Sequence, residues 1–194
     1  MNIGITGSIA CGKSTVTSYL QKKGYVVLDA DKIGHSVLEK KDTIEELKTI
    51  FGLEILTNDK IDRLKLGKVV FGNKDALVKL NKVVHPKIRE EILLLEDKYK
   101  DEKLLFVDAA LLFEANFADL VEKVIVVNID EKTQLKRLMD RNNFPISEAK
   151  KRIASQMSGA EKAKLADYII DNSGTFEETY REIEKTLQKI SEGK

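Results

Sequence analysis

The chain has 194 residues, of which 42% are hydrophobic, a composition that predicts a folded domain with a sizeable core and excludes a largely disordered chain. Its 33 lysines and arginines balance 32 aspartates and glutamates, and the net charge of +1 excludes a global attraction to nucleic acid or to an anionic membrane. The single cysteine, Cys11, excludes an intrachain disulfide. Because the sequence starts without a signal-peptide pattern and contains no apolar run long enough to span a bilayer, we expect a cytoplasmic protein.

Short apolar runs alternate with longer amphipathic segments, a pattern typical of an α/β protein whose parallel sheet is covered on both faces. The predicted strands are residues 2–6, 25–29, 104–108, 124–128 and 168–170. Apolar residues at steps of three and four predict a helix over 77–95, which Pro86 is expected to break or kink. A last helix is predicted to follow Thr175, which forms a capping box with Glu178.

Two segments stand apart from this alternation. Residues 31–98, between the second and third strands, are far longer than a strand–helix–strand crossover needs and predict a mostly helical insertion that serves a substrate. Residues 132–164 contain nine basic and three acidic side chains, the one strong local charge bias in the chain. Most of these lysines are interpreted as a solvated helical face, although an arginine among them could contact phosphate.

Residues 7–14, GSIACGKS, match the pattern G-x-x-x-x-G-K-[ST] between an apolar strand and a helix. The glycines let backbone N–H groups turn inward around an anion, and the helix N-terminus adds its positive dipole. Lys13 is predicted to reach the β- and γ-phosphates, and the Ser14 hydroxyl to ligate Mg²⁺. The loop therefore predicts binding of a nucleoside triphosphate with magnesium, and Cys11 inside it is either a redox-sensitive thiol or a small filler residue.

Carboxylates follow two of the predicted strands. Asp29 and Asp31 lie at the end of the second strand, at the edge where open α/β sheets bind ligands. One of the two is expected to cap a helix, and Asp31 is the predicted base that accepts the proton of an acceptor hydroxyl. Asp108 ends the strand LLFVD and is predicted either to bind Mg²⁺ or to serve as a turn residue.

Together these residues resemble the dephospho-coenzyme A kinase family over essentially the whole chain. The matching motifs are GITGSIACGKST at 4–15, DADKIGH at 29–35, HP at 85–86, LLFE at 111–114, QLKRLMDR at 134–141, RIASQ at 152–156 and ADYIIDNSG at 166–174. The resemblance implies ATP-dependent phosphorylation of the ribose 3′-hydroxyl of dephospho-coenzyme A, the last step of coenzyme A synthesis. It also implies the P-loop NTPase fold, with three α/β/α layers and a five-stranded parallel sheet.

The resemblance also implies how a single kinase domain is divided. A core of residues 1–30, 99–140 and 164–194 would carry a helical acceptor-binding lobe at 31–98 and a small helical lid at 141–163. The expected partners are ATP with Mg²⁺ and dephospho-coenzyme A, with no nucleic acid and no membrane. The chain is expected to be a monomer or a small homo-oligomer.

Roles for individual residues follow from the same resemblance. Asp31 would be the base, with Lys13 and Arg141 stabilising the transferred phosphoryl group. The residues expected to contact ATP are Gly7, Ile9, Ala10, Cys11, Gly12, Lys13, Ser14, Thr15, Val16, Arg141 and Asn172. Magnesium is expected at Ser14 and Asp108.

Asn172 would approach adenine, although it could equally be a turn residue. His85, Leu112 and Glu114 would line the acceptor pocket with Asp31, and His85 could equally be structural. Two other functions compete with this interpretation: a nucleoside or nucleoside-monophosphate kinase of the same build, and a P-loop regulatory ATPase without an acceptor.

Overall fold

The computed structural model describes residues 1–193, which form two compact units. We call residues 1–28 and 99–193 the sheet unit, and Asp29–Lys98 the helical unit. The predicted insertion at 31–98 corresponds closely to the helical unit, whereas the predicted lid at 141–163 lies within the sheet unit. The functional roles of lobe and lid stay predictions.

The strands are β1 (Asn2–Gly7), β2 (Val26–Asp29), β3 (Leu56–Thr57), β4 (Lys60–Ile61), β5 (Leu105–Asp108), β6 (Lys123–Asn128) and β7 (Tyr168–Asp171). Five of them form one sheet in the order β2-β5-β1-β6-β7, with β1 parallel to both β5 and β6, and β6 parallel to β7. The five-stranded parallel sheet is confirmed, and each predicted strand agrees with the structure within one residue at either end. In the helical unit, β3 and β4 pair as a short antiparallel hairpin.

The helices are α1 (Lys13–Lys22), α2 (Ala30–Val37), α3 (Lys41–Phe51), α4 (Arg63–Val70), α5 (Lys74–Lys98), α6 (Glu131–Asn142), α7 (Ile146–Ala154), α8 (Gly159–Ala163) and α9 (Phe176–Ser191). Short 3₁₀ turns occur at Leu53–Ile55 and Ala118–Leu120. The capping box of Thr175 and Glu178 at the start of α9 is confirmed. Among residues 1–193, no helix has both the length and the apolar character that a membrane span requires.

The sheet unit has three layers because successive side chains of a strand point to opposite faces of the sheet. On one face Ile3 and Ile5 of β1 belong to a buried cluster with Val16 of α1 and Ile183 of α9. On the other face, the chain after β5 packs against β1, and α8 packs against β6. The α/β/α arrangement is that of a P-loop fold, and β1 leads directly into the loop before α1.

In the helical unit, α2, α3 and α4 pack against the long helix α5. The buried face of α5 includes Val84, Ile88 and Ile92. Of the two alternatives expected at Pro86, the break is wrong, because α5 runs without interruption through that residue, and the kink stays a prediction. A proline removes a single N–H donor, and the apolar residues on both sides of it stay packed, so the helix continues.

Candidate active site

The loop between β1 and α1 is built to expose backbone N–H groups. The Cys11 N–H donates to Ser8 O at 3.1 Å and closes a turn in which Ala10 and Gly12 have left-handed backbones, with φ of 61° and 82°. Within residues 1–193, the N–H groups without an acceptor include those of Ile9, Ala10, Gly12 and Ser14. Several open donors beside a helix N-terminus make a binding site for an anion such as phosphate.

Two glycines of this loop are required by close contacts. A Cβ atom added to Gly7 would lie 2.5 Å from both Cys11 Sγ and Val127 O. A Cβ atom added to Gly12 would collide with the side-chain amide of Asn172. The loop is therefore packed tightly against β6 and against the chain that follows β7.

Two buried carboxamides bond to the outer side of the loop. Gln134 Nε2, on α6, donates to Ile9 O and to Ser8 Oγ, each at 2.9 Å. Asn172 Nδ2, directly after β7, donates to Cys11 O at 2.7 Å. The two residues are only 5% and 3% exposed, so these bonds form away from water.

Asn172 also has a structural role that the sequence did not indicate. Its Oδ1 accepts a hydrogen bond from Thr179 Oγ1 at 2.7 Å while its Nδ2 donates to Cys11 O, and its approach to adenine stays a prediction. The sequence interpretation missed Gln134, although a signal existed. Gln134 is four residues before Leu138, which places a glutamine on the buried face of α6.

The predicted phosphate-binding lysine and the predicted magnesium ligand lie together. Lys13 Nζ donates to Asp108 Oδ1, and both side chains are largely buried. Ser14 is exposed in the first turn of α1. A lysine ammonium, a carboxylate and a hydroxyl thus lie where the anion-binding loop joins α1.

The side-chain oxygens of Ser14 and Asp108 suit a magnesium ion that is bound together with phosphate. Within residues 1–193, no cluster of three or more His, Cys, Asp or Glu residues could hold a metal by itself. The Ser14 hydroxyl and the Asp108 carboxylate are hard oxygen donors, and Mg²⁺ is commonly held by one or two such groups together with substrate phosphates. The donor set therefore suits an ion that arrives with a nucleotide.

A cavity of about 790 Å³ opens beside the loop, a volume suited to a nucleotide. Its lining residues are Ala10, Gly12, Ser14, Thr15, Arg137, Asp140, Arg141, Asn172, Gly174, Thr175, Phe176 and Glu177. Phe176 is 64% exposed there, and its ring stacks on Tyr180 with centroids 6.4 Å apart. The cavity thus offers phosphate-binding groups at one part of its wall and an aromatic face at another.

Arg141 is one of two arginines on this cavity wall. It lies in the last turn of α6, is exposed, and donates from Nε to Asn142 Oδ1 at 2.9 Å. The remaining guanidinium N–H groups are available to an anion beside the loop. The structure therefore brings Arg141 to the same cavity as Ser14 and the open N–H groups.

Three predicted contact residues are buried instead. Val16 is fully buried in the core on the α1 side of the sheet, so its side chain packs and does not face ATP. Leu112 is fully buried beneath β1, where its Cδ2 would lie 2.9 Å from a Cβ atom added to Gly4, and its role in acceptor binding stays a prediction. Burial raises the pKa of the Cys11 thiol, and the Lys13 N–H only partly offsets this, so Cys11 is a filler residue rather than a reactive thiolate.

Glu114 has a structural role that the sequence did not indicate. Its Oε1 lies 3.1 Å from Nζ of the fully buried Lys162 and accepts the Met157 N–H at 3.3 Å. Lys162 Nζ also donates to Ala110 O at 2.6 Å. Lys162 is thus an exception to the solvated face that most lysines in 132–164 are interpreted to form, and a role of Glu114 in acceptor binding stays a prediction.

In the helical unit, Asp29 and Asp31 have different environments. Asp29 caps α2 by accepting the Lys32 N–H at 3.0 Å, which confirms that one of the pair is a cap. Asp31 is exposed in the first turn of α2 and makes no hydrogen bond or ion pair within residues 1–193. His85 is half-buried on α5, and burial lowers the pKa of its imidazole.

Known proteins match this chain along nearly its whole length. A family profile described as dephospho-CoA kinase matches residues 1–178. Dephospho-CoA kinases of Oceanobacillus iheyensis and Carboxydothermus hydrogenoformans are 46% and 45% identical to the chain over 191 residues, covering 96% of it and 96% and 93% of their own lengths. A solved structure of dephospho-CoA kinase from Campylobacter jejuni is 38% identical, with a TM-score of 0.77 and coverage of 99% of this chain and 98% of that one.

Proposed function

The chain belongs to the dephospho-CoA kinase family, and we propose that it transfers the γ-phosphoryl group of ATP to the ribose 3′-hydroxyl of dephospho-coenzyme A. The products are coenzyme A and ADP, and the reaction completes coenzyme A synthesis. The observation that carries this proposal is the loop at residues 8–14, whose unpaired N–H groups adjoin a nucleotide-sized cavity that also contains Arg141.

Nucleotide binding in this proposal follows from the donors of the sheet unit. The open N–H groups of Ile9, Ala10, Gly12 and Ser14 hold the phosphates at the N-terminus of α1, and the adjacent lysine contributes the ammonium that bonds to the β- and γ-phosphates. The base and ribose occupy the cavity, where Phe176 presents an aromatic face. Stacking on such a face favours a planar base without reading its edge.

Ser14 and Asp108 would hold magnesium in this complex. The ion neutralises phosphate charge when it is bound with ATP. Asp108 is bonded to Lys13 in the structure, so its carboxylate lies beside the ammonium that would bind the phosphates. The exposed Ser14 hydroxyl, one residue after Lys13, is the second donor.

The transfer step would use two exposed side chains. Arg141 stabilises the negative charge of the phosphoryl group during its transfer, because that charge needs a nearby cation once water is excluded. Asp31 accepts the proton of the 3′-hydroxyl, and its exposure and lack of a partner support this role, since Asp29 serves as the cap.

The other expectations enter as parts of the same proposal. The helical unit binds the acceptor, with His85 as a candidate contact, and residues 141–163 form the lid over ATP. A cytoplasmic location and a monomeric or small homo-oligomeric state stay predictions.

One assay tests the proposed reaction. The purified protein is incubated with Mg-ATP and dephospho-coenzyme A, and ADP and the 3′-phosphorylated product are measured together. Coenzyme A is the matched control acceptor, because it differs only in having its 3′-hydroxyl already phosphorylated. We expect ADP to appear with dephospho-coenzyme A in a one-to-one ratio with product and to stay at background with coenzyme A.

The same assay separates the competing functions, which the comparisons do not favour. A nucleoside or nucleoside-monophosphate kinase would phosphorylate adenosine or AMP in preference to dephospho-coenzyme A. A regulatory ATPase would release ADP at the same rate with and without an acceptor. Either result would overturn the proposal.

A further inference from the structure

We infer that Gln134 and Asn172 are positioning residues that hold two carbonyl groups of the phosphate-binding loop outward, so that the N–H groups following them face the phosphates. Gln134 bonds to Ile9 O, and Asn172 bonds to Cys11 O. This inference rests on the proposed function in one respect only, which is that the loop binds the triphosphate of a nucleotide.

The peptide bond provides the physical link. In a trans peptide the C=O of one residue and the N–H of the next point in opposite directions, and residues 1–193 contain no cis peptide. Bonding of Ile9 O to Gln134 therefore directs the Ala10 N–H to the opposite side of the chain. Bonding of Cys11 O to Asn172 directs the Gly12 N–H in the same way.

The hydrogen bonds of the loop backbone agree with this peptide geometry. The N–H groups of Ala10 and Gly12 are among those without an acceptor within the described residues, while the carbonyl preceding each is bonded to a carboxamide. Both residues also adopt left-handed backbones, which an unsupported loop would not favour at alanine. The two amides thus stabilise a loop conformation whose open donors all suit an anion.

The Asn172 carboxamide is held in the orientation that its bond to Cys11 O needs. Thr179 Oγ1 donates to Asn172 Oδ1, and the reverse orientation would set that oxygen against Cys11 O. Gln134 uses Nε2 for both of its bonds, to Ile9 O and Ser8 Oγ. Both residues belong to elements that follow strands of the sheet, so the loop is tied to α6 and to the turn between β7 and α9.

This role differs from adenine recognition in a measurable way. A residue that reads adenine changes the preference for ATP over GTP when it is altered. A residue that positions the phosphate loop weakens both nucleotides by the same factor, because the two share their triphosphate. A residue that only supports the fold lowers the melting temperature and leaves the affinity of the folded protein unchanged.

The test uses Asn172→Asp and Gln134→Glu, which keep the side-chain shape but replace the bonding NH₂ group with an oxygen. Dissociation constants of Mg-ATP and Mg-GTP are measured by competition against a fluorescent ATP analogue, without an acceptor. We expect both dissociation constants to rise by the same factor of about 10–100 in each variant, because the N–H groups of the loop would lose hydrogen bonds to the charged phosphates. Because no acceptor is used, a wrong acceptor assignment would leave this result standing.

A second pair of variants leaves both carboxamides in place and tests the same inference if the first pair folds poorly. Thr179→Val removes the hydroxyl that orients Asn172, and Thr186→Val removes a buried hydroxyl of the same helix that bonds only to Glu182 O. We expect Thr179→Val to weaken ATP and GTP equally and Thr186→Val to bind both like the wild type. A changed ATP-to-GTP ratio, or unchanged affinities in the folded variants, would overturn the inference.

Discussion

The sheet unit and the helical unit hold their candidate functional groups in opposite ways. In the sheet unit, Lys13, Gln134 and Asn172 are largely buried, and each is bonded to another part of the protein. In the helical unit, Asp31 is exposed, and its side chain makes no hydrogen bond or ion pair within the described chain. The sheet unit therefore presents a preorganised anion site, whereas the helical unit presents a carboxylate, Asp31, that gains a partner only from a substrate.

Burial explains this difference and predicts how substitutions behave. A buried polar group needs its partners, so altering one costs stability as well as function. An exposed carboxylate is solvated and screened, and it acts strongly only when a bound substrate excludes water. Substitutions at exposed candidate residues should therefore reduce turnover without reducing stability.

The largest expected effect is that of Asp31→Asn in the helical unit. Turnover should fall by about 10²–10⁴-fold because the acceptor hydroxyl loses its base, while ATP affinity and melting temperature stay at wild-type values. Steady-state kinetics with dephospho-coenzyme A, ATP titration and thermal unfolding measure the three quantities.

Asp29→Asn is the matched control on the same turn. Asparagine caps a helix as well as aspartate does, so α2 should keep its cap and the enzyme its turnover. If Asp29→Asn is the inactive variant and Asp31→Asn is active, the base is Asp29 and the assignment of the two carboxylates is reversed.

Arg141→Ala tests whether exposure, rather than membership of one unit, decides the outcome. Arg141 belongs to the sheet unit but is exposed, so we expect kcat to fall by about 10²-fold with a smaller change in ATP affinity and no loss of stability. Arg181→Ala is the control, because Arg181 is also exposed, lies outside the proposed lid and donates from Nε to Glu177 O. Equal losses in both variants would mean that Arg141 has no special contact with the phosphates.

Lys162→Met should show the reverse behaviour, a loss of stability. It removes the partner of Glu114 and the donor to Ala110 O from a fully buried position, and we expect the free energy of unfolding to fall by about 3 kcal/mol. Chemical denaturation measures this value, with the exposed neighbour Lys164→Met as the control, expected to stay within about 0.5 kcal/mol of wild type. Equal losses of unfolding free energy at the two positions would contradict a stabilising role of the buried Lys162 side chain.

The smallest expected effect concerns His85 and pH. Burial lowers the pKa of His85 in the folded protein, so the unfolded chain binds the proton more readily. Stability should therefore decrease as the pH falls below about 6.5, the ordinary histidine pKa, and be fully present above it. Melting temperatures measured between about pH 8 and pH 5.5 should fall less steeply for His85→Gln than for wild type, and parallel curves would exclude His85 as the source.

Local patterns were sufficient for much of the fold. The strands were predicted within one residue, and the loop at residues 7–14 and the Thr175 cap were read directly from neighbouring residues. A break at Pro86 does not occur, because packing on both sides of a proline can outweigh the loss of one hydrogen bond. Val16 and Leu112 were assigned to ligand binding from the family resemblance, but the burial of their side chains depends on what packs over them.

The sequence by itself determined the family, the phosphate-binding loop and the positions of the strands, because each depends on residues close together in the chain or on motifs in a constant order. The tertiary structure alone decided the strand order, the burial of Lys162 and the two amide bonds to the loop. Those bonds join residues 125 and 161 positions apart, and no periodicity or spacing in a single sequence specifies which distant carbonyl a buried amide will meet.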